Sequence, residues 1–281
     1  MTKEPNKISV GVVGAGVIGR RVVGAVRLQP DMALAGVADV AADWRIAMLA
    51  KDGVRLFAAS SQASQTLPDA GLDVAGSLED LIAASDVIVD CTPKGIGAQN
   101  ANIYRRAGKP FIVQGGEKHD VAGHSFVAEA TYGSAFGRDA TRVVSCNTTS
   151  IVRTLGALKR AGLLKKARGT LMRRATDPWE SHLGGIMNTL VPEPTIPSHQ
   201  GPDARHVDPE LDVVTIAIKV PETLAHLHSW YVELNRPATK EEVLDAFAAS
   251  PRILLIDGDS GLSALNSVKE AMAMEGRPNA D

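Results

Sequence analysis

Cysteine is almost absent from this sequence: Cys91 and Cys146 are the only two in 281 residues. That excludes a disulfide-stapled secreted domain and a cysteine-rich zinc site. Aromatic residues reach only 4%, too few for a base-stacking surface. No positive surplus exists either. The 30 Lys and Arg face 32 Asp and Glu, giving a formal net charge of -2, so nothing marks a face for a nucleic-acid backbone. A phosphorylated small molecule stays open as a ligand, because a few local cations suffice to hold one. The longest apolar stretch, Ile8 to Gly19, is too short for a bilayer and is broken by glycine. The polar start, Met1 to Lys7, lacks a signal-peptide core. A cytoplasmic protein with neither a nucleic-acid nor a membrane partner is expected.

What is present is an ordinary globular balance, 44% hydrophobic and 22% charged. In the first half, short apolar runs alternate with helical spacing. Runs at Lys7–Val13, Met32–Ala38, Asp86–Asp90 and Phe111–Val113 read as buried strands, and Ser77 with Asp80 reads as a capping box before a short helix. Continuous apolar strands separated by helices predict an α/β fold, a doubly wound parallel sheet of the Rossmann type, over residues 1–144. The second half, residues 145–281, reads as an α+β domain with a mostly antiparallel sheet. A helix is expected over Thr149–Leu164, strands over Gly169–Arg174 and Ala225–Leu234, and a long loop over Asp177–Pro209. Val214, Ile216, Ile218 and Val220 alternate with Thr215, Ala217 and Lys219, which predicts a half-buried antiparallel strand.

Gly14-Ala15-Gly16-Val17-Ile18-Gly19 fits GxGxxG after a predicted strand and at the start of a predicted helix. In that context Gly14 allows the tight turn, Gly16 admits a pyrophosphate, Gly19 lets helix and sheet approach, and the helix N-terminus offers N–H groups to phosphate. Asp39 ends the second strand, 25 residues after Gly14. A carboxylate there accepts ribose hydroxyls and repels a 2′-phosphate, favouring NAD; the alternative is that Asp39 caps the next helix. Arg20 and Arg21 keep NADP open.

Cys146 sits in Ser145-Cys146-Asn147-Thr148-Thr149, between a strand and a helix. A helix N-terminus favours thiolate over thiol, and Thr148 or Thr149 is the expected N-cap. A thiolate beside a nicotinamide suits covalent aldehyde oxidation through a thioester; a small buried hydrophobe is the plain alternative. Cys91 reads as core or cofactor-wall packing. His226, His228 and His199 are candidate bases, and no third residue accompanies His226-x-His228 to complete a metal site. Arg173-Arg174 is a candidate phosphate clamp.

Several of these stretches resemble the archaeal-type (type II) phosphorylating glyceraldehyde-3-phosphate dehydrogenases. The resemblance rests on GVVGAGVIGRRV from Gly11, IVQGGEK from Ile112, VVSCNTT from Val143, RRATDP from Arg173, PSHQGPD from Pro197 and PETLAHLH from Pro221. It implies Cys146 as nucleophile, Ser145 and Asn147 beside the substrate, and His226 as base with His228 as the other choice. It implies Arg173 and His199 at the substrate phosphate, with Gln200 where the family usually carries a second histidine. Val17, Ile18, Gly116 and Arg174 would contact NAD. The implied reaction takes D-glyceraldehyde 3-phosphate, NAD and inorganic phosphate to 1,3-bisphosphoglycerate, in a homotetramer. Family members extend several dozen residues beyond this length. A related dehydrogenase acting on another phosphorylated aldehyde, and a catalytically weak nucleotide-binding homologue, are the two further readings.

Overall fold

The computed structural model describes residues 7–114, 116–176 and 188–276. Gly115, the first part of the expected loop (177–187) and residues 277–281 lie outside the described residues. The chain divides into two compact units. The first comprises Met1–Phe126 and Tyr132–Ser145, and the second Val127–Thr131 and Cys146–Asp281.

The first unit is built on an eight-stranded sheet in which every described pairing is parallel. Its strands are β1 (Ile8–Val13), β2 (Met32–Asp39), β3 (Leu56–Ala58), β4 (Val74–Ser77), β5 (Val87–Asp90), β6 (Phe111–Val113), β7 (Ser125–Phe126) and β8 (Ala140–Val143), in the order β4-β3-β2-β1-β5-β6-β8-β7. The helices between them are α1 (Val17–Arg27), α2 (Trp44–Lys51), α3 (Ala63–Asp69), α4 (Leu78–Ala84), α5 (Ile96–Arg106) and α6 (His119–Ala122), followed by α7 (Ala128–Ala135), which runs across the division between the units. Both faces of the sheet are covered. Val10 and Val12 of β1 pack in one core with Val23, Val26, Ile46, Leu49, Ala63 and Leu67 from α1–α3. Val13 turns to the other core, with Leu81 and Ile82 of α4 and Ala101 and Tyr104 of α5. Parallel strands clad on both sides explain why their sequences are apolar runs and not alternations. The Ser77–Asp80 capping box forms as read.

The second unit carries α8 (Cys146–Arg160), β9 (Leu164–Arg174), β10 (Val191–Pro192), α9 (Gln200–Val207), β11 (Val213–Val220), β12 (Leu227–Leu234), α10 (Lys240–Ala248) and α11 (Leu265–Met274). Its sheet runs β10-β11-β9-β12. β12 is antiparallel to β9 and β10 to β11, but β11 lies parallel to β9. This corrects the antiparallel expectation for β11. The segment from β9 to β11 holds a helix, α9, and crosses back, so β11 enters the sheet in the same direction as β9. The loop expected over Asp177–Pro209 therefore contains regular structure, with Gly201 and Pro202 hiding the start of α9 from a periodicity reading.

The buried face of β11 is also not the most apolar one. Val213, Thr215 and Ala217 are buried, while Val214, Ile216 and Ile218 face outward. Small inward residues let α9 come close: a Cβ added to Gly201 would stand 3.2 Å from the Thr215 hydroxyl. The α8 stripe foreseen from spacing, Ile151, Val152, Leu155 and Leu158, is at most 3% exposed. Each such side chain contributes about 1.5–3 kcal/mol by burial, which fixes the helix that carries Cys146.

Candidate active site

In the first unit, the glycine loop joins β1 to α1. Gly14 has φ +86, and a Cβ there would lie 3.0 Å from the Cys91 carbonyl carbon and the Thr92 nitrogen. At Gly19 a Cβ would meet the Gly14 carbonyl oxygen at 1.8 Å, so only glycine lets the helix sit this near the strand. Gly16 is different: nothing lies within 4 Å of its missing Cβ. Gly16 is also the N-cap of α1, and no side chain caps that helix. Open space above uncapped N–H groups is what a pyrophosphate requires. Val17 and Ile18 form the first turn, Ile18 being exposed. These residues fit an NAD(P) pyrophosphate.

Asp39 closes the other side of this loop. Its Oδ2 accepts the Ala15 N–H at 2.6 Å, and its Oδ1 accepts the N–H groups of Val40 and Ala41 at 2.7 and 2.8 Å. The capping alternative does not hold, since Asp43 caps α2 by accepting from the Arg45 N–H. Three N–H groups thus aim the Asp39 carboxylate at the end of β2. Arg20 lies with its guanidinium 5.1 Å from the Trp44 ring centroid. Cys91 borders the loop from below and accepts from Gln114 Nε2 at 3.4 Å. Burial, helped by the Asp90 charge, pushes its thiol up to about 12, so Cys91 stays protonated. Gly116, at φ +85, is exposed in the turn after β6, and Ser145 is the last residue of this unit.

In the second unit, α8 starts at Cys146, three residues earlier than expected. Thr148 is consequently inside the helix and not its cap; its hydroxyl donates to Asp203 Oδ2 of α9 at 2.8 Å. Cys146 is exposed at the helix N-terminus, with its Sγ 3.1 Å from His226 Nε2. His226 is set by the main chain: the Arg174 N–H donates to its Nδ1 at 3.1 Å. With Nδ1 accepting, the ring hydrogen of the neutral imidazole sits on Nε2 and faces the sulfur. Asn147 is buried and approaches both groups, its Nδ2 lying 3.9 Å from Sγ and 3.5 Å from His226 Nε2. His228 Nε2 is 2.8 Å from Asn147 Oδ1 and, the amide oxygen being only an acceptor, donates to it. Burial lowers His228 to about 4 and keeps it neutral. So His226 and His228, two apart in sequence, do different things. One meets the sulfur, and the other orients the asparagine beside it.

Arg173 and His199 do come together, through a residue that sequence reasoning missed. Glu193, directly after β10, receives Arg173 Nη1 on Oε2 at 3.1 Å. Its Oε1 accepts the His199 N–H at 3.0 Å and lies 2.8 Å from His199 Nδ1. No local signal in the proline-rich segment marks Glu193; only the pairing of β10 on β11 brings it there. Gln200, expected beside His199 at the phosphate, is 1% exposed. Neither of its amide atoms has a partner among the described residues. Arg174 reaches this region by its main chain, through His226.

Residues 145–269 match the family model described as "Glyceraldehyde 3-phosphate dehydrogenase, C-terminal domain", and residues 8–116 match "Dihydrodipicolinate reductase, N-terminus". A glyceraldehyde-3-phosphate dehydrogenase of Pyrobaculum calidifontis is 45% identical over 277 residues, covering 98% of this chain and 80% of the relative. One of Halobacterium salinarum is 44% identical over 275 residues, covering 98% and 82%. One of Thermococcus kodakarensis is 44% identical over 258 residues, covering 92% and 76%. Among solved structures, aspartate semialdehyde dehydrogenase II from Vibrio cholerae superposes with a TM-score of 0.65 at 15% identity, over 90% of this chain and 82% of that one. At that identity the likeness is one of fold.

Proposed function

Because this chain belongs to the glyceraldehyde-3-phosphate dehydrogenase family, we propose that it oxidises D-glyceraldehyde 3-phosphate to 1,3-bisphosphoglycerate, with NAD(P) as hydride acceptor and inorganic phosphate as second substrate. The observation that carries the reading is the contact of Cys146 Sγ with His226 Nε2 at 3.1 Å, at the start of a helix.

The cradle of Gly14, Gly16, Val17, Ile18 and Gly19 holds the dinucleotide pyrophosphate. Asp39, its carboxylate aimed by three N–H groups, faces the ribose hydroxyls and favours NAD. Gly116 and Arg174 belong to the same cofactor reading. Cys146 is the nucleophile. Its sulfur stands at the start of α8 and faces His226 Nε2. His226, the base that the resemblance implies, stands within reach of the sulfur, and the Arg174 N–H on its Nδ1 supports reading Nε2 as the nitrogen that donates there.

Sγ adds to the aldehyde carbon, the π pair of the carbonyl moves onto oxygen, and the new oxyanion takes the Nε2–H bond the sulfur gives up. Bound NAD(P) supplies the acceptor for the hydride whose departure leaves a thioester on Sγ. A phosphate oxygen then attacks the thioester carbon, the C–S bond breaks, and the thiolate returns to the Nε2–H. Asn147, held by His228, flanks the reacting carbon, Ser145 is assigned to the substrate by the resemblance, and Arg173 and His199 hold the substrate phosphate with the buried Gln200 next in the chain.

We also read the protein as a homo-oligomer, a tetramer by its resemblance, and as cytoplasmic, in keeping with two free cysteines. Among the described residues no helix is long and apolar enough to cross a membrane.

The test is NADH formation from glyceraldehyde 3-phosphate, NAD and phosphate. Cys146→Ser should lower the rate by at least about a thousandfold. A Cys146→Ser variant as fast as the wild type removes the covalent step. A wild type equally fast without phosphate removes the phosphorylating one.

A further inference from the structure

Arg173 and His199 come from separate elements. Arg173 projects from the inner face of β9, the face that also carries Ala167, Leu171 and, on β12, His228. His199 stands immediately before α9. Two flexible cationic side chains bind an anion well only if something sets their spacing beforehand, since each otherwise loses rotamer freedom on binding. Glu193 spans them, with one carboxylate oxygen on Arg173 Nη1 and the other on the main-chain N–H and Nδ1 of His199. The Glu193 backbone is itself anchored, because its N–H donates to the Ala217 carbonyl of β11 at 2.8 Å. Burial works to raise the Glu193 carboxyl; the His199 N–H and ring, then the charges of His199 and Arg173, overcome it and hold the group ionised.

The bonding leaves particular donors unused. His199 is engaged through Nδ1, so Nε2 is the nitrogen left to turn outward, on a side chain that is 61% exposed. Arg173 commits Nη1, and its Nε has no partner among the described residues. A guanidinium has five N–H donors, so one carboxylate oxygen does not exhaust it.

We propose that Glu193 is the positioning residue of the substrate-phosphate subsite, its carboxylate fixing Arg173 and His199 so that their remaining donors converge on the phosphate of the aldehyde. This rests on the functional reading given above. The competing role, a carboxylate that occupies the phosphate position and must leave, is disfavoured by how Glu193 is held: its main-chain N–H is fixed to the Ala217 carbonyl of β11, and its two carboxylate oxygens bind both cationic residues at once.

The two roles give opposite signs in kinetics. The full chain and its Glu193→Ala and Glu193→Gln variants are assayed on glyceraldehyde 3-phosphate and on glyceraldehyde, which lacks the phosphate. Glu193→Ala should raise KM for the phosphorylated aldehyde about tenfold while kcat falls less than about threefold. On glyceraldehyde, kcat/KM should move less than about threefold. Glu193→Gln, isosteric and still able to accept from the His199 N–H, should fall between wild type and Ala. A lower KM in either variant overturns the proposal in favour of competition. Equal losses on both aldehydes, or none, overturn it in favour of a scaffold or an inert role. A wild type inert toward both aldehydes instead defeats the functional reading itself, which separates the two failures.

Discussion

At the scale of single residues, the site depends on which nitrogen of each histidine is occupied. His226 and His228 look alike in sequence, and their strand alternation suggests one shared face. In the structure β12 begins at Leu227, so His226 lies just before the strand and is held by the Arg174 N–H, while His228 is in the strand and half-buried. His228 titrates at about 4 when folded, against an ordinary value near 6.5. The unfolded chain therefore takes up this proton before the folded one does. The stability it contributes is complete above about 6.5 and is lost as pH falls towards 4. The thermal midpoint should accordingly drop less between pH 7 and 4.5 in His228→Gln than in wild type, the difference cancelling the carboxylates that titrate in both. Parallel lines for the two proteins would show that His228 is not desolvated. None of this was readable in the sequence, because spacing does not say which ring nitrogen meets a main-chain donor. Glu193 was invisible for the same reason: its partners at 173 and 199 are set by the sheet and not by local pattern.

At the scale of elements, the sequence was most legible where one residue type alone can serve. The glycine loop is such a place, and its three glycines have separate tasks that substitution can tell apart. An added methyl at Gly19 meets the Gly14 carbonyl at 1.8 Å, so Gly19→Ala must push α1 away from β1. An added methyl at Gly16 meets nothing within 4 Å. Gly16→Ala, which only exchanges one N-cap residue for a poorer one, should lower the melting temperature of the protein without cofactor by no more than about 3 °C, yet weaken NAD binding by at least about tenfold, by intruding where the pyrophosphate lies. Gly19→Ala should lose both stability and binding. Calorimetry and a dinucleotide titration check the pair; a Gly16→Ala protein that binds NAD like wild type would mean that the pyrophosphate is not at this helix end. Element boundaries were less legible. Thr148 and Thr149 offered plausible caps, but the Thr148 hydroxyl goes to Asp203 across α8 and α9, and the helix instead begins at Cys146. A tertiary partner outcompeted the local rule, and the shift put the sulfur itself at the positive end of the helix.

At the scale of the whole molecule, the least expected feature is which face of β11 is buried. Period-two alternation told correctly that one face is apolar, but not that it is the outer one. Thr215 and Ala217 turn inward because α9 packs close on them, and Val214, Ile216 and Ile218 are left outside. The register of the sheet extends this surface. Ile218 and Leu227 both sit opposite Met172, and Tyr231 and Val214 both sit opposite Arg168, so the outward row continues across β11, β9 and β12. Ile216, Leu227 and Tyr231 are 40, 49 and 83% exposed. Arg168 and Thr170 of β9 and Ser229 of β12 interrupt this face, but the row Ile218–Met172–Leu227, with Ile216 and Tyr231 beside it, exposes apolar side chains of the kind that a self-complementary partner covers. This gives the homo-oligomer reading a location. Tyr231→Glu changes a side chain that the single chain leaves mostly in solvent, so it should shift the stability of the isolated chain by no more than about 0.5 kcal/mol. In a pair of packed sheets the same change buries a charge whose cross-strand neighbour, Arg168, is already bound to Asp212, and the penalty of a buried charge in an interface runs to several kcal/mol. Light scattering at micromolar concentration should then give a smaller assembly for Tyr231→Glu than for wild type. An unchanged mass would place the contact on another surface, and a wild type already at the mass of one chain would end the homo-oligomer reading.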